Sequence, residues 1–211
     1  YRFPQEANLK AWHDKAPEHF LFSVKVPQTI THQQQFKDTA TVMQEFYDVV
    51  TSGLGAKLGP ILFQLPPQFA YSPERLQAIL AQLNWSYTNV IEFRHISWWR
   101  PEVMQELGEQ NICFCGVSYP GLIDNVVINT PQVYYRFHGV PKLYHSLYPT
   151  EFLRSVTDSI RSAGKVQRAF LYFNNTASGA ALENARVVQE LVGAGVSRPE
   201  ENGRMELGFG D

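Results

Sequence analysis

An α/β fold built on parallel strands and closed as a (β/α) barrel is what this sequence predicts. Three observations lead there. Strand-like and helix-like stretches alternate along the chain with little interruption, and strands joined by helical crossovers pair in parallel because parallel neighbours need long connections. Polar side chains stand at the end of nearly every strand-like stretch. That pattern fits the ring of residues at a barrel's C-terminal mouth better than the single switch point of an open doubly wound sheet. Finally, 211 residues that are 44% hydrophobic and only 18% charged suffice for one sizeable core and are too apolar for a disordered chain.

The elements follow in order. Pro4 opens a short helix to Lys15, with Leu9 and Trp12 three apart. FLFSVKV (20–26) is an apolar strand ended by Pro27. Phe36, Ala40, Met43, Phe46 and Val50 then recur at helical spacing, and Gly53, Gly55 and Gly59 break that helix. PILFQL (60–65) is a second strand, stopped by Pro66 and Pro67. Ser72 and Pro73 read as N-cap and first helical position ahead of Leu76, Ile79, Leu80 and Leu83. VIEFRH (90–95) is a third strand, and Pro101 starts a helix packed through Val103, Met104 and Leu107.

ICFCGVS (112–118) is the fourth strand and QVYYRFH (132–138) the fifth. The helix after Pro149 buries Phe152, Leu153, Val156 and Ile160, and Gly164 closes it. AFLYFN (169–174) is the sixth strand, and a last helix runs from about Ala180 to Val192. Residues 1–195 therefore read as one barrel domain and 196–211 as a loosely held tail. Six strands are too few to close the ring. Tyr1–Phe3 reads as the tail of another, and a further strand is expected upstream or in 125–129.

Composition narrows the function classes. Eighteen Lys plus Arg against 20 Asp plus Glu give a net charge of −2, which counts against a basic nucleic-acid groove. No apolar run approaches the ~20 residues of a membrane span, and no signal-peptide pattern opens the chain. A soluble, cytoplasmic protein with no membrane partner is expected. The two cysteines, Cys113 and Cys115, alternate onto one face of a strand and read as small buried side chains, not as a disulfide or a zinc site.

Alternation picks out the candidate chemistry. Glu92 and Arg94 share a face of the third strand, opposite Ile91, Phe93 and His95. They are either a structural ion pair or a carboxylate acid–base held by a guanidinium that also grips a substrate anion. On the fifth strand Tyr134, Arg136 and His138 share a face. A second arginine suits a carboxylate or phosphate, and His138 suits proton transfer near neutral pH. Lys25 ends the first strand, where lumen ion pairing and a phosphate contact are the competing readings, with a Schiff base less favoured. Gln64, Asn174 and Asn175 stand at strand ends with amides that can orient a ligand. Asn184 sits on the inward stripe of the last helix; of Trp98 and Trp99, in the loop after the third strand, one is expected to pack under the helix and the other, assigned to Trp98, to stack over a ligand. For a metal, Glu92 and His138 would be the first ligands and Asp124 a distant third. However, no HExxH or paired Cys/His spacing appears, so no metal and no cofactor is expected.

Five segments together resemble the DUF72 (YecE-like) family: FSVKVPQTITH (22–32), LGPILFQLPPQF (58–69), IEFRHISWW (91–99), YYRFHG (134–139) and YFNNTASGAALENA (172–185). The resemblance implies a TIM-type barrel whose first strand, helix and second strand precede Tyr1. It implies no activity, because the family's function is not established. Its recurrent polar positions fall here on Lys25, His32, Gln64, Glu92, Arg94, His95, Arg136, His138, Asn174, Asn175 and Asn184. Members often carry an acid after the fourth strand where this chain has Ser118, which makes metal dependence less expected still.

The expected function is a metal-independent barrel enzyme, a lyase, isomerase or hydrolase, that binds a small anionic molecule at the C-terminal mouth. Arg94, Arg136 and Lys25 hold the charge, Glu92 or His138 moves the proton, and Gln64 and Asn174 orient the substrate. Two alternatives stand beside it. One is a metal-dependent nucleic-acid barrel of the apurinic-endonuclease type, disfavoured by the charge; the other is a non-catalytic ligand-binding protein.

Overall fold

The first apolar run folds as strand β1 (Phe22–Lys25), preceded by helix α1 (Glu6–Lys15). Helices α2 (Ala40–Leu54) and α3 (Pro73–Leu80) then alternate with strands β2 (Leu58–Gln64) and β3 (Asn89–Glu92). β1 pairs with β2 and β2 with β3, both in parallel, as helical crossovers require. These coordinates are a computed structural model that describes residues 3–193 and, as backbone, 205–209. The chain divides into two compact units, Tyr1–Val103 with Glu109–Ile112, and Met104–Gly108 with Cys113–Asp211.

In the first unit local chemistry sets the boundaries. Ser72 caps α3 by accepting a hydrogen bond from the Arg75 N–H at 3.3 Å, with Pro73 at the first helical position, as the sequence predicts. β2 stops at Gln64 before two prolines that have no N–H to extend a ladder, and its partner β3 stops in register at Glu92. The predicted third strand is therefore shortened, because residues 93–95 have lost that partner. Phe36 is outside α2. It is buried with φ +64°, and its ring centroid lies 6.0 Å from that of Phe63. Gly53 does not break α2 but lies within it. A Cβ there would come within 2.4 Å of the Leu9 Cβ, so glycine permits the close packing of α1 on α2. Gly55, at φ +51°, is where α2 ends.

The 112–118 run enters the second unit at Cys113. It splits at Cys115 into β4 (Cys113–Phe114) and β5 (Gly116–Ser118), and both cysteines are free and buried. β6 (Gln132–Phe137), helix α5 (Thr150–Ser162), β7 (Arg168–Phe173) and helix α6 (Ala180–Gly193) follow. β8 (Met205–Phe209) completes the order β5-β6-β7-β8, in which every neighbour is parallel. Residues 205–209 of the expected loose tail thus form a strand; 194–204 and 210–211 lie outside the described residues, as do Tyr1 and Arg2 of the expected first strand. The 125–129 segment forms no strand.

Alternation decides the faces of this sheet. Val133, Tyr135 and Phe137 of β6, with Leu171 and Phe173 of β7, pack under Leu153 and Ile160 of α5 and Ala185 and Val188 of α6. Each buried Val, Leu, Ile or Phe among them contributes about 1.5–3 kcal/mol. Tyr134 and Arg136 are consequently on the face turned away from the helices, beside Phe170 and Tyr172 of β7. The tyrosines Tyr134 and Tyr172 stack with centroids 4.8 Å apart. Helix α4 (Pro101–Glu109) connects β3 to β4, and among the described residues no helix is long and apolar enough to cross a membrane.

Candidate functional site

Within the first unit the polar strand ends converge. Lys25 pairs in register with Leu62, and Gln64, two residues on, pairs with Glu92. Because side chains alternate with a period of two, Lys25, Gln64 and Glu92 share one face of the sheet. Arg94 lies two residues beyond Glu92, and its Nε donates to Glu92 Oε1 as an ion pair. The two side chains are 6% and 0% exposed respectively, so the pair sits out of water. Such a pair is bound tightly to its own geometry, since separating buried charges costs several kcal/mol.

The segment after β1 returns to this cluster. Residues Thr29–Gln34 form a π-helical turn that carries His32, and Thr31 Oγ1 shares a 2.8 Å hydrogen bond with His32 Nδ1. Gln35, Phe36 and Asp38 follow with φ of +49°, +64° and +52°, a run of left-handed non-glycine residues. Strain of this kind persists only where surroundings hold it. Here Gln82 donates to the Phe36 carbonyl and accepts from the Thr39 hydroxyl. The half-buried His32 imidazole has its pKa lowered by burial and then by the charges of Lys25 and Arg94. Lys25, the Arg94–Glu92 pair and a neutral imidazole therefore gather at the C-terminal ends of β1 and β3.

His95 has a structural task. Its Nδ1 accepts from the Ser97 N–H at 3.2 Å and caps the turn Ile96–Trp98. Trp98 corrects an expectation. It is 0% exposed, stacked on Phe93 at 4.2 Å and on Phe69 at 5.7 Å, with its indole N–H donated to the Phe69 carbonyl at 2.6 Å. With both its apolar surface and its donor committed to the core, Trp98 is not a ligand platform.

In the second unit, Arg136 and His138 are 3% and 1% exposed. The His138 N–H donates to the Ser118 carbonyl at 3.0 Å, and its ring meets that of Tyr119 edge-on at 5.6 Å. Asn174 is 8% exposed, and its N–H donates to the Phe137 carbonyl at 2.7 Å, which sets it beside the end of β6. Asn175 departs from its expected substrate role. It is fully buried, and its Nδ2 donates to the Ser146 carbonyl at 3.0 Å and to Asn184 Oδ1 at 2.9 Å. Asn184 in turn accepts from the Tyr148 N–H at 3.1 Å and donates to the Tyr148 carbonyl at 2.9 Å. The two asparagines clamp the 146–148 loop to α6.

A network the sequence reading passed over lies nearby. The Asp124 carboxylate accepts from the Ser118 hydroxyl at 2.5 Å and from the Tyr135 phenol. Burial and then the Asp124 charge push the Tyr135 pKa up. Tyr148, whose hydroxyl accepts from the Gly139 N–H at 2.7 Å, is pushed up to about 12 by burial. Alternation hid this group, because Tyr135 is on the helix-facing side of β6 and Asp124 lies in coil. The buried Cys113 thiol is likewise raised to about 12, consistent with an inert core cysteine. Among the described residues no three His, Cys, Asp or Glu side chains are grouped to hold a metal ion.

Comparison with known proteins gives a consistent set of relatives. The family model described as protein of unknown function DUF72 matches residues 1–205. A solved DUF72 family protein from Thermotoga maritima is 26% identical with a TM-score of 0.80, over 92% of this chain and 81% of that one. Two structures of a DUF72 family protein from Enterococcus faecalis give TM-scores of 0.78 and 0.75 at 19% and 22% identity. They cover 97% and 92% of this chain and 84% and 86% of their own; at that identity they speak for the fold alone. No curated protein matches. With nearly its whole length matched by the family model, this chain belongs to the DUF72 family.

Proposed function

We propose that this protein is an enzyme that binds a small phosphate- or carboxylate-bearing molecule at the C-terminal ends of its strands and moves a proton on it without a metal. In the first unit Lys25 and Arg94 hold the anion, Gln64 orients it and Glu92 exchanges the proton. In the second unit Arg136 and Tyr134 are assigned to binding, Asn174 to orientation and His138 to proton transfer. The observation that carries the reading is the register that sets Lys25, Gln64 and Glu92 on one face of the sheet with Arg94 paired to Glu92; Lys25 and Arg94 also both act on His32. Glu92 offsets one of the two positive charges and leaves one in excess for an anion, and a guanidinium fork with an ammonium matches a phosphate or carboxylate.

The TIM-type barrel is part of the same proposal. Parallel neighbours in consecutive chain order and helical crossovers support it. A cytoplasmic location is proposed with it, on the strength of two buried free thiols.

The test is a calorimetric titration with inorganic phosphate, sulfate and small hydroxy acids. Binding is expected, with at least about a tenfold loss in Lys25→Met, which keeps the apolar stem and removes about one charge–charge contact. No binding by any of these anions would reject the reading. Once turnover is found, Glu92→Gln and His138→Ala variants that fold and react normally would reject both as proton-transfer groups.

A further inference from the structure

Resting on the anion reading above, we propose that His32 is a third ligand of the bound anion, one that becomes a donor only by taking up a proton as the anion arrives. The site would then select doubly charged anions of the phosphate or sulfate class and report their arrival as proton uptake.

The geometry for this is built into the segment after β1. His32 sits in a π-helical turn, a departure from regular helix that recurs at functional sites. The turn is followed by three left-handed non-glycine residues, and the strained backbone is pinned by Gln82. Thr31, itself 1% exposed, engages Nδ1, which leaves Nε2 as the nitrogen for a ligand. Holding an imidazole in this way costs backbone strain that a merely solvated histidine would not need.

The charges facing the ring are Lys25 from β1 and Arg94 from the segment after β3, and Arg94 is paired with Glu92. The turn itself, TITHQQ, has no other ionisable residue, and Lys37 and Asp38 come only after it. Partly buried, and with Lys25 and Arg94 acting on it, the free ring is neutral at neutral pH. An anion that cancels their field removes their share of the penalty on a further positive charge, and its own charge offsets part of the cost of burial. One proton then passes from solvent to the imidazole, and the imidazolium donates to the anion. Linkage makes the effect reciprocal: protonation strengthens anion binding by the same factor by which the anion strengthens protonation.

Sulfate is the probe, because it does not itself titrate near neutral pH. The His32 ring is followed by NMR from about pH 5 to about pH 8 with and without saturating sulfate, its signals identified by their loss in His32→Gln. Sulfate is expected to move the His32 midpoint upward. Calorimetry in two buffers of different ionisation enthalpy is expected to show uptake approaching one proton, with affinity falling up to about tenfold per pH unit between the two midpoints. Sulfate binding with an unmoved His32 midpoint would overturn this inference and leave the anion reading standing. Absence of sulfate binding at every pH would overturn both. The NMR titration is made on the unaltered protein, so it does not depend on a variant that folds.

Discussion

Replacing Arg94 by Met tests how the buried pair at the end of β3 is held. The side chain of Glu92 is 0% exposed and that of Arg94 only 6%, so removing the guanidinium takes a close countercharge from a carboxylate shielded from water. Removing one partner of a buried ion pair typically costs about 3–5 kcal/mol. The carboxyl has one escape, which is to take a proton. Holding it protonated at about pH 7, against an ordinary value of about 4.3 and at about 1.36 kcal/mol per pH unit, costs about 3.7 kcal/mol. The two routes agree, and a loss of about 3–4 kcal/mol is expected in urea unfolding at neutral pH.

The sign of the pH dependence follows from the same argument. In Arg94→Met the folded carboxyl titrates above its unfolded value, so the variant is penalised only where the unfolded chain has released that proton. Its deficit relative to the parent shrinks as pH falls toward about 4. Adding Glu92→Gln to Arg94→Met removes the charge and should recover most of the loss, since a neutral amide has no Born penalty of that size. A single variant that loses under about 1 kcal/mol, or a double variant as unstable as the single one, would refute the reasoning.

Three further outcomes are expected. Gly53→Ala should destabilise by about 1–2 kcal/mol, because the new methyl overlaps the Leu9 Cβ while helix propensity returns about 1 kcal/mol; chemical unfolding measures it. Gln35→Gly should stabilise by about 0.5–1 kcal/mol by relieving a left-handed backbone at φ 49° and ψ 46°, read as a higher urea midpoint at an unchanged slope. Asn184→Ala should cost about 2–4 kcal/mol, since it strands both polar backbone groups of Tyr148, and hydrogen exchange of the Tyr148 amide should accelerate selectively.

Much of the first unit's candidate site was legible from alternation. Lys25, Gln64 and Glu92 end three successive strands, and a parallel register carries them to the same face, so spacing alone selects them. The Glu92–Arg94 pair was legible for the same reason. On β6 the split between Tyr134 and Arg136 on one face and Tyr135 and Phe137 on the other appears as predicted, because helices cover only one side. Other assignments failed where local pattern says nothing about neighbours. Trp98 read as a loop aromatic, yet Phe69, Tyr71 and Phe93 converge on it from distant sequence. Asn175 read as a ligand group, but Asn184 and the Ser146 carbonyl use its amide. Gly53 read as a helix breaker, while its purpose is the approach of Leu9, forty-four residues away.

Chain chemistry on its own settled the order of strands and helices and those ends that carry a proline or a serine cap, since these signals and the side-chain period act within a few residues of backbone. It also settled which side chains share a face. Tertiary structure alone decided what those side chains are worth chemically: that His32 stands among cations, that Asp124 reaches a phenol from the covered side of the sheet, and that one indole is sealed in the core. Charge and desolvation depend on distances through space, and those distances exist only once remote segments have packed.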